Sequence, residues 1–421
     1  FDALQGGETL TLSGSGTVGD ENVANGQGVT LGSLALVNGT GLASNYSLNS
    51  ASLNITKRVL NSSGSKTYDA NTDALAGAIT LSNLVSGEAL NHSGTATIGS
   101  ANAGSYTITN LSGISIADGS GGTASNYTLT GGTHNFTVNR RAVSVSGTRL
   151  YDATTNAVAS DLSTHANLVG SETLNLSGTG TIASKNVGSN KTVSVGTLAL
   201  ADGSNGGLAA NYTLSGGTHQ LTVNQRPLNA TLARQYDGTT TAAGSDLSSF
   251  DALQGGETLT MTGSGTAASA NVANGIAMSS NGTLALADGT GLASNYSLNS
   301  TVINIAQRVL NSSGSKTYDA NTDALAGAIT LSNLVSGEAL NHSGTATIGS
   351  ANAGSYTITN LSGISIADGS GGTASNYTLT GGTHNFTVNR RAVSVSGTRL
   401  YDATTNAVAS DLSTHANLVG S

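Results

Sequence analysis

The sequence has no cysteine and no tryptophan, a single proline, four phenylalanines, and charged residues at only 9% of its 421 positions. An average soluble protein has roughly 25% charged residues. The missing cysteines exclude disulfide staples and fit an exported bacterial protein that must stay unfolded in transit. The 15 lysines and arginines form no basic block and are outnumbered by 23 acids, for a net charge of −8. Phosphate-backbone binding therefore has no electrostatic footing, and no nucleic-acid partner is expected. No apolar run approaches the ~18–20 residues of a membrane-spanning helix, and no signal peptide is recognisable. What is abundant is glycine, 57 residues, with serine, threonine and asparagine, and a 37% share of mostly small apolar residues. These alternate with Thr and Ser in short runs, which is a strand signature and unlike the composition of a disordered chain.

Repetition organises these runs. "SKTYDANTDALAG" at 65–77 returns verbatim at 315–327, with looser versions "TRLYDATTNA" from Thr148 and "ARQYDGTTTA" from Ala233. The Tyr-Asp tyrosines are Tyr68, Tyr151, Tyr236, Tyr318 and Tyr401, spaced by 83, 85, 82 and 83 residues. A second phrase, Asn-Tyr-(Thr/Ser)-Leu, has its tyrosines at 46, 127, 212, 296 and 377, spaced by 81, 85, 84 and 81. Two independent landmarks thus give one period near 83, too long for a β-helix coil and suited to a small domain. Residues 58–171 and 308–421 are identical over 114 positions, an offset of 250. That identity reads as a recent duplication of a three-repeat block.

Within 58–140, apolar alternation marks strands at 78–81, 88–98, 105–117, 126–132 and 134–140, separated by Gly, Asn, Ser and Asp clusters. "TDALAGAI" and "SDLSTHANLV" suit one helical turn at most. Five to seven short strands per repeat predict an all-β chain, a linear tandem array of small Ig-like β-sandwich domains, with β-grasp-like repeats or a β-solenoid as alternatives. Phe136 and Val138 lie on one parity and Val143 and Val145 on the other, so the buried face switches near Arg140–Arg141. Joints placed on this switch give a partial repeat 1–57, repeats 58–140, 141–225, 226–307 and 308–390, and a partial repeat 391–421. Pro227, just past a joint, is tolerable at a strand's start. The chain begins and ends inside repeats. This reads first as a window cut from a longer polypeptide; the other reading is that neighbouring chains complete one another.

Recurring residues are the candidates for function. The pairs Tyr68–Asp69, Tyr151–Asp152, Tyr236–Asp237, Tyr318–Asp319 and Tyr401–Asp402 are read as structural, the Asp closing an Asx-turn and the Tyr burying its ring with its hydroxyl on a backbone group. Asp118, Asp202, Asp288 and Asp368, in "ADGSGG"-like loops, are tight-turn residues and weak calcium candidates. Glu8, Glu88, Glu172, Glu257 and Glu338, one per repeat, cannot make a glycosidase's acid/base pair and are read as charges on solvated turns. Arg58, Arg141, Arg226, Arg308 and Arg391 mark the joints, each expected to pair with an acid of a neighbouring domain. The seven histidines lack zinc-site spacing. Lys66, set against Arg149 and Gln235 in the sister repeats, does not recur, which argues against Lys–Asn crosslinks. Asn-x-Ser/Thr triplets such as those at Asn45, Asn126, Asn211 and Asn295 are potential glycosylation sites. No catalytic constellation is legible, so no enzyme activity and no cofactor are expected.

"TYDANTDA", "RLYDATTNA" and "QYDGTTTAA", followed in order by "LVGSETLNLSGTGTIASKNVGSNKTVSVGTLAL" (168–200), "AANYTL" (209–214) and "LTVNQRPL" (221–228), resemble the YDG repeat domain and related MBG-type repeats. Such repeats occur in large bacterial exoproteins, including filamentous-haemagglutinin-like adhesins. The resemblance covers essentially the whole chain. It implies an extracellular, cell-surface-attached location, in a Gram-negative bacterium. The expected function is a structural repeat region of a fibre or adhesin stalk, acting as spacer and surface or biofilm filament. The alternative is a repeated glycan- or surface-binding module. Expected partners are neighbouring repeats of the same chain, other fibres through lateral self-association, and host or environmental glycans.

Overall fold

The computed structural model describes Phe1 and residues 4–420. Apart from ten single-turn 3-10 segments of three residues each, every regular element among them is a β-strand. None of the helices is long and apolar enough to cross a membrane. The chain divides into two compact units. One comprises Phe1–Arg149, Thr155–Ser184 and Ser189–Thr222; the other comprises Leu150–Thr154, Lys185–Gly188 and Val223–Ser421.

In the first unit, the repeat that starts near Arg58 builds one mixed sheet. Its strand order is Ile114–Asp118, Leu90–Ile98, Gly104–Asn110, His134–Asn139, Asn61–Thr67, Ile79–Ser82, and Asp73–Leu75 also pairs with Leu90–Ile98. Neighbours are antiparallel except at the centre, where His134–Asn139 runs parallel to Asn61–Thr67. The first and last long strands of the repeat are therefore partners. A short parallel pair, Arg58–Val59 with Tyr127–Thr128, stands apart from this sheet. Leu90–Ile98 turns a corner at Gly94: residues 90–94 pair with Ile114–Asp118, and residues 95–97 pair with Asp73–Leu75. Gly94 has φ +100°, and a Cβ there would lie 1.9 Å from the Gly113 carbonyl oxygen. Only glycine fits this corner, a device by which a strand passes from one layer to another. In the next repeat the same strand is broken at Gly178, between Leu174–Ser177 and Thr179–Ile182.

In the second unit, residues 226–307 form the sheet Thr241–Ala243, Ser264–Ala267, Ala273–Ser280, Tyr296–Ala306, Arg226–Gln235, Leu247–Phe250. The parallel pair here runs unbroken apart from a bulge, from Arg226↔Tyr296 to Gln235↔Ala306. Pro227 is the second residue of that strand and is exposed. The repeat that starts near Arg308 repeats the order of its identical counterpart. The chain is thus all-β, with sandwich-like sheets in tandem repeats. A solenoid is ruled out, because each repeat closes its own sheet instead of stacking coil on coil.

Cores follow the alternation. Phe136 and Val138 are buried, as are Val143 and Val145 on the opposite parity. The "TDALAGAI" and "SDLSTHANLV" segments each contain one 3-10 turn, Ala76–Ala78 and Ala159–Asp161. The Tyr-Asp phrase needs a left-handed third residue: Ala70, Ala153, Ala320 and Ala403 have φ between 60° and 65°, and Gly238 has φ 78°. Alanine there is strained and glycine is not.

Val145 is fully buried. Val145→Ala should cost about 1.5–3 kcal/mol through lost burial and a residual cavity, measured by chemical denaturation.

Candidate functional site

The Tyr-Asp tyrosines end their strands by extending the ladder: Tyr68 N–H donates to Asn139 O at 2.9 Å, and Tyr236 N–H to Ala306 O at 2.9 Å. The following aspartate closes the expected Asx-turn, with Asp69 accepting from Asn71 N at 3.2 Å, Asp152 from Thr154 N at 2.9 Å and Asp237 from Thr239 N at 2.9 Å. Asp319 and Asp402 do the same at 3.2 and 3.0 Å. The ring then projects beyond its own repeat.

The hydroxyl's partner differs from the sequence expectation. It is a glutamate of the next repeat, not a backbone group. Tyr68 Oη donates to Glu172 Oε1 at 2.7 Å, and Tyr212, from the Asn-Tyr phrase, donates to Glu172 Oε2 at 2.6 Å. The two rings meet edge to face, 5.4 Å apart at 77°. The arrangement recurs with Tyr151, Glu257 and Tyr296 at 2.7 and 2.8 Å, and with Tyr236, Glu338 and Tyr377 at 2.7 Å each. Their ring pairs lie 5.3 and 5.4 Å apart. All six tyrosines are buried. The second tyrosine's oxygen also accepts a backbone N–H, Val169 on Tyr212, Gln254 on Tyr296 and Val335 on Tyr377. The glutamates are therefore not charges on solvated turns. Each carboxylate accepts two phenols, and edge-to-face rings add to the burial.

A second clasp lies beside the first. Asn211 donates to Asn102 Oδ1 at 3.0 Å and accepts from Ala103 N at 2.8 Å. Asn295 does the same with Asn186 and Val187, Asn376 with Asn271 and Val272, and Asn126 with Asn22 and Val23. Each of these asparagines immediately precedes the Asn-Tyr tyrosine and follows from the 3-10 turn that ends there.

The arginines make different contacts from those expected. Arg226 Nε donates to Tyr151 O at 2.7 Å; Arg141, Arg308 and Arg391 reach Tyr68 O, Tyr236 O and Tyr318 O at 3.4, 3.4 and 3.5 Å. Arg58 holds Asn83 O and Oδ1. Their partners are carbonyl oxygens instead of acids. At one joint a cation does reach the carboxylate: Lys185 Nζ lies 2.7 Å from Glu257 Oε1 and 5.9 Å from the Tyr151 ring centroid. Burial would raise the Glu257 carboxyl, but hydrogen bonds from Lys185, Tyr151 and Tyr296 outweigh it and hold the pKa below the ordinary value.

Asp118, Asp202, Asp288 and Asp368 each cap a 3-10 turn, accepting from Ala124, Ala209, Ala293 and Ala374 N at 2.7–2.8 Å. Asn38 does this for Ala43 at 2.7 Å. The task needs one acceptor and no charge, which explains the uncharged "VNGTG" loop. Among the described residues no three or more His, Asp and Glu side chains gather to hold a metal ion. His134 and His384 are buried, each bridging a serine hydroxyl and a backbone carbonyl.

The structure also corrects one alignment. The residue equivalent to Lys66 is Arg234, not Gln235. Lys66 and Lys316 pair with Asp69 and Asp319 at 2.9 Å, and Arg234 and Arg399 pair with Asp237 and Asp402. Lys66 Nζ also meets Asn71 Oδ1 at 2.6 Å and the carbonyls of Asn71 and Asp73 at 2.8 Å. The signal was available in the sequence: a cation two residues before every Tyr-Asp tyrosine.

Removing a shared acceptor should be expensive. Glu172→Ala leaves two buried hydroxyls without their partner and should destabilise the chain by about 2–6 kcal/mol, measured by urea denaturation. Burial first, and the neighbouring carboxylate after it, pushes Tyr68, Tyr212, Tyr296 and Tyr377 up to about 12. A raised folded-state pKa means these phenols stabilise the fold fully below pH 10 and lose that contribution as pH climbs through 12. Tyrosinate absorbance and circular dichroism followed together should show ionisation of the latch and loss of structure in this window.

The YDG domain model matches the chain four times, over residues 52–135, 135–221, 218–303 and 306–385. No curated protein gives a significant match. Among solved structures, the Bacillus anthracis TIE protein aligns over 92% of this chain and 74% of its own, at 8% identity and a TM-score of 0.17. That superposition is too loose to bear on fold or function. The four consecutive matches span most of the sequence, and the chain belongs to the YDG domain family.

Proposed function

We propose that this chain is a structural spacer, the repeat region of an extracellular fibre or adhesin stalk on the surface of a Gram-negative bacterium. The observation that carries the reading is the Tyr–Glu–Tyr latch, which ties the end of one repeat's first strand to the loop and Asn-Tyr phrase of the next. It occurs with the same geometry at Glu172, Glu257 and Glu338. A molecule whose task is reach needs each module fixed to its neighbour, because slack at every joint lets a string of domains coil. Breaking one latch exposes two phenols and a carboxylate at once, so bending is resisted by desolvated hydrogen bonds as well as by contact area. Low charge, few aromatics and exposed Thr and Ser suit a surface that stays in solvent without sticking. Open strand edges offer a route to lateral bundling into a filament.

Small-angle scattering of the intact chain tests this. The wild type should give a single extended particle, and the triple variant Glu172→Ala, Glu257→Ala, Glu338→Ala should give a shorter mean dimension and the profile of a flexible chain. Indistinguishable curves would remove the latch from its proposed role.

A further inference from the structure

Each latch brings two phenols to one base. Tyr68 and Tyr212 donate to different oxygens of Glu172, Tyr151 and Tyr296 to different oxygens of Glu257, and Tyr236 and Tyr377 to different oxygens of Glu338. The two oxygens of a carboxylate share one carbon, so the hydroxyl-bearing ends of the two rings converge. Ring centroids lie 5.3–5.4 Å apart with planes at 77–79°, which sets the edge of one ring against the face of the other. The carbons ortho to the two hydroxyls are therefore neighbours. All six rings are buried, whereas the three glutamates are half-buried and meet solvent.

The Asn-Tyr tyrosine has a further donor on its oxygen. Val169 N–H lies 2.9 Å from Tyr212 Oη, Gln254 N–H 3.1 Å from Tyr296 Oη and Val335 N–H 3.0 Å from Tyr377 Oη. A phenol oxygen that gives its proton to the carboxylate keeps this hydrogen bond and stays in place.

Two phenols in contact, each with its own proton acceptor, are the reactants of oxidative coupling. We infer that the latch is a site of covalent modification by one-electron oxidants, at which Tyr68–Tyr212, Tyr151–Tyr296 and Tyr236–Tyr377 couple to dityrosine. Each tyrosine gives one electron to the oxidant and its phenolic proton to the glutamate, which passes it to water. The two phenoxyl radicals then form one carbon–carbon bond between ortho carbons. The hydrogens on those carbons move to the phenolic oxygens and restore both aromatic rings. The pair loses two electrons and two protons, taken up by two equivalents of oxidant and by solvent. Contact geometry replaces the diffusional encounter of two radicals, and the carboxylate serves as general base. The bond joins consecutive repeats in a chain that has no cysteine for disulfides. This chemistry belongs to the latch itself and does not depend on the chain being a spacer.

Tyr106 and Tyr356 are the internal comparison. Their hydroxyls donate to the carbonyl oxygens of Asn102 and Asn352 at 2.8 Å, so they have no carboxylate base.

Photo-oxidation of the dilute intact chain with tris(bipyridine)ruthenium and persulfate, followed by peptide mapping, tests the inference. The expected products are monomeric chains with dityrosine fluorescence, a mass lower by two hydrogens for each coupled latch, and crosslinked peptides that contain the three pairs. Tyr68→Phe should delete the Tyr68–Tyr212 product and leave the other two, which also report that the variant is folded. Glu172→Gln should lower the yield of that product about tenfold or more relative to the other two. An unchanged mass overturns the inference, and so do crosslinks that map to Tyr106 or Tyr356 instead of the latch pairs. A Tyr68–Tyr212 yield that Glu172→Gln leaves unchanged overturns the role given to the carboxylate.

Discussion

A single half-buried carboxylate, accepting hydroxyls from two tyrosines that belong to consecutive repeats, is the constraint on which the repeat-to-repeat architecture turns. Each small repeat buries only a modest fraction of its surface, and its sheet is centred on one parallel pair with short antiparallel neighbours. The latch takes a group that would be costly to bury alone and satisfies it from both sides, Glu172 from Tyr68 and Tyr212 and Glu257 from Tyr151 and Tyr296. The carboxylate comes from the turn before a strand in one repeat and one of its tyrosines from the end of a strand in the repeat before. Neither repeat can form the site by itself.

This accounts for the economy of the sequence. Charged residues are scarce, yet the ones that recur are committed. Lys66, Arg234, Lys316 and Arg399, each two residues before a Tyr-Asp tyrosine, neutralise the aspartate of the Asx-turn. The joint arginine reaches carbonyl oxygens at the tyrosine's own strand end. The aspartates of the "ADGSGG"-like loops cap the 3-10 turns that deliver the Asn-Tyr phrase. The Tyr-Asp phrase is thus the outgoing half of a joint, and the Asn-Tyr phrase with its glutamate is the incoming half.

Part of this was legible in sequence. Period, strand content and the parity switch between Phe136–Val138 and Val143–Val145 could be counted, because alternation is a local property of a pleated chain. The Asx-turn at Asp69 followed from short-range hydrogen bonding. Glu172 could not be placed in the same way. A lone glutamate after Gly-Ser has the local signature of a solvated turn, and its two partners lie 104 residues before it and 40 residues after it. The joint arginine was visible as a recurrent cation, but an acidic partner was the wrong inference, since its guanidinium reaches carbonyl oxygens at the strand end. The loop aspartates, legible as tight-turn residues and only weak calcium candidates, share with Asn38 a capping role that needs an acceptor and no charge.

The sharpest separation comes from residues 141–171 and 391–421, which are identical. Their sequence settles the Asx-turns at Asp152 and Asp402, the left-handed alanines at 153 and 403 and the 3-10 turns at Ala159–Asp161 and Ala409–Asp411, all of them products of neighbouring residues. It does not settle what buries Tyr151. That ring is fully buried, with its hydroxyl on Glu257 and its edge against Tyr296. Burial depends on what packs against a side chain, and here both partners lie more than a hundred residues further along the chain, where only the tertiary structure can bring them to the ring.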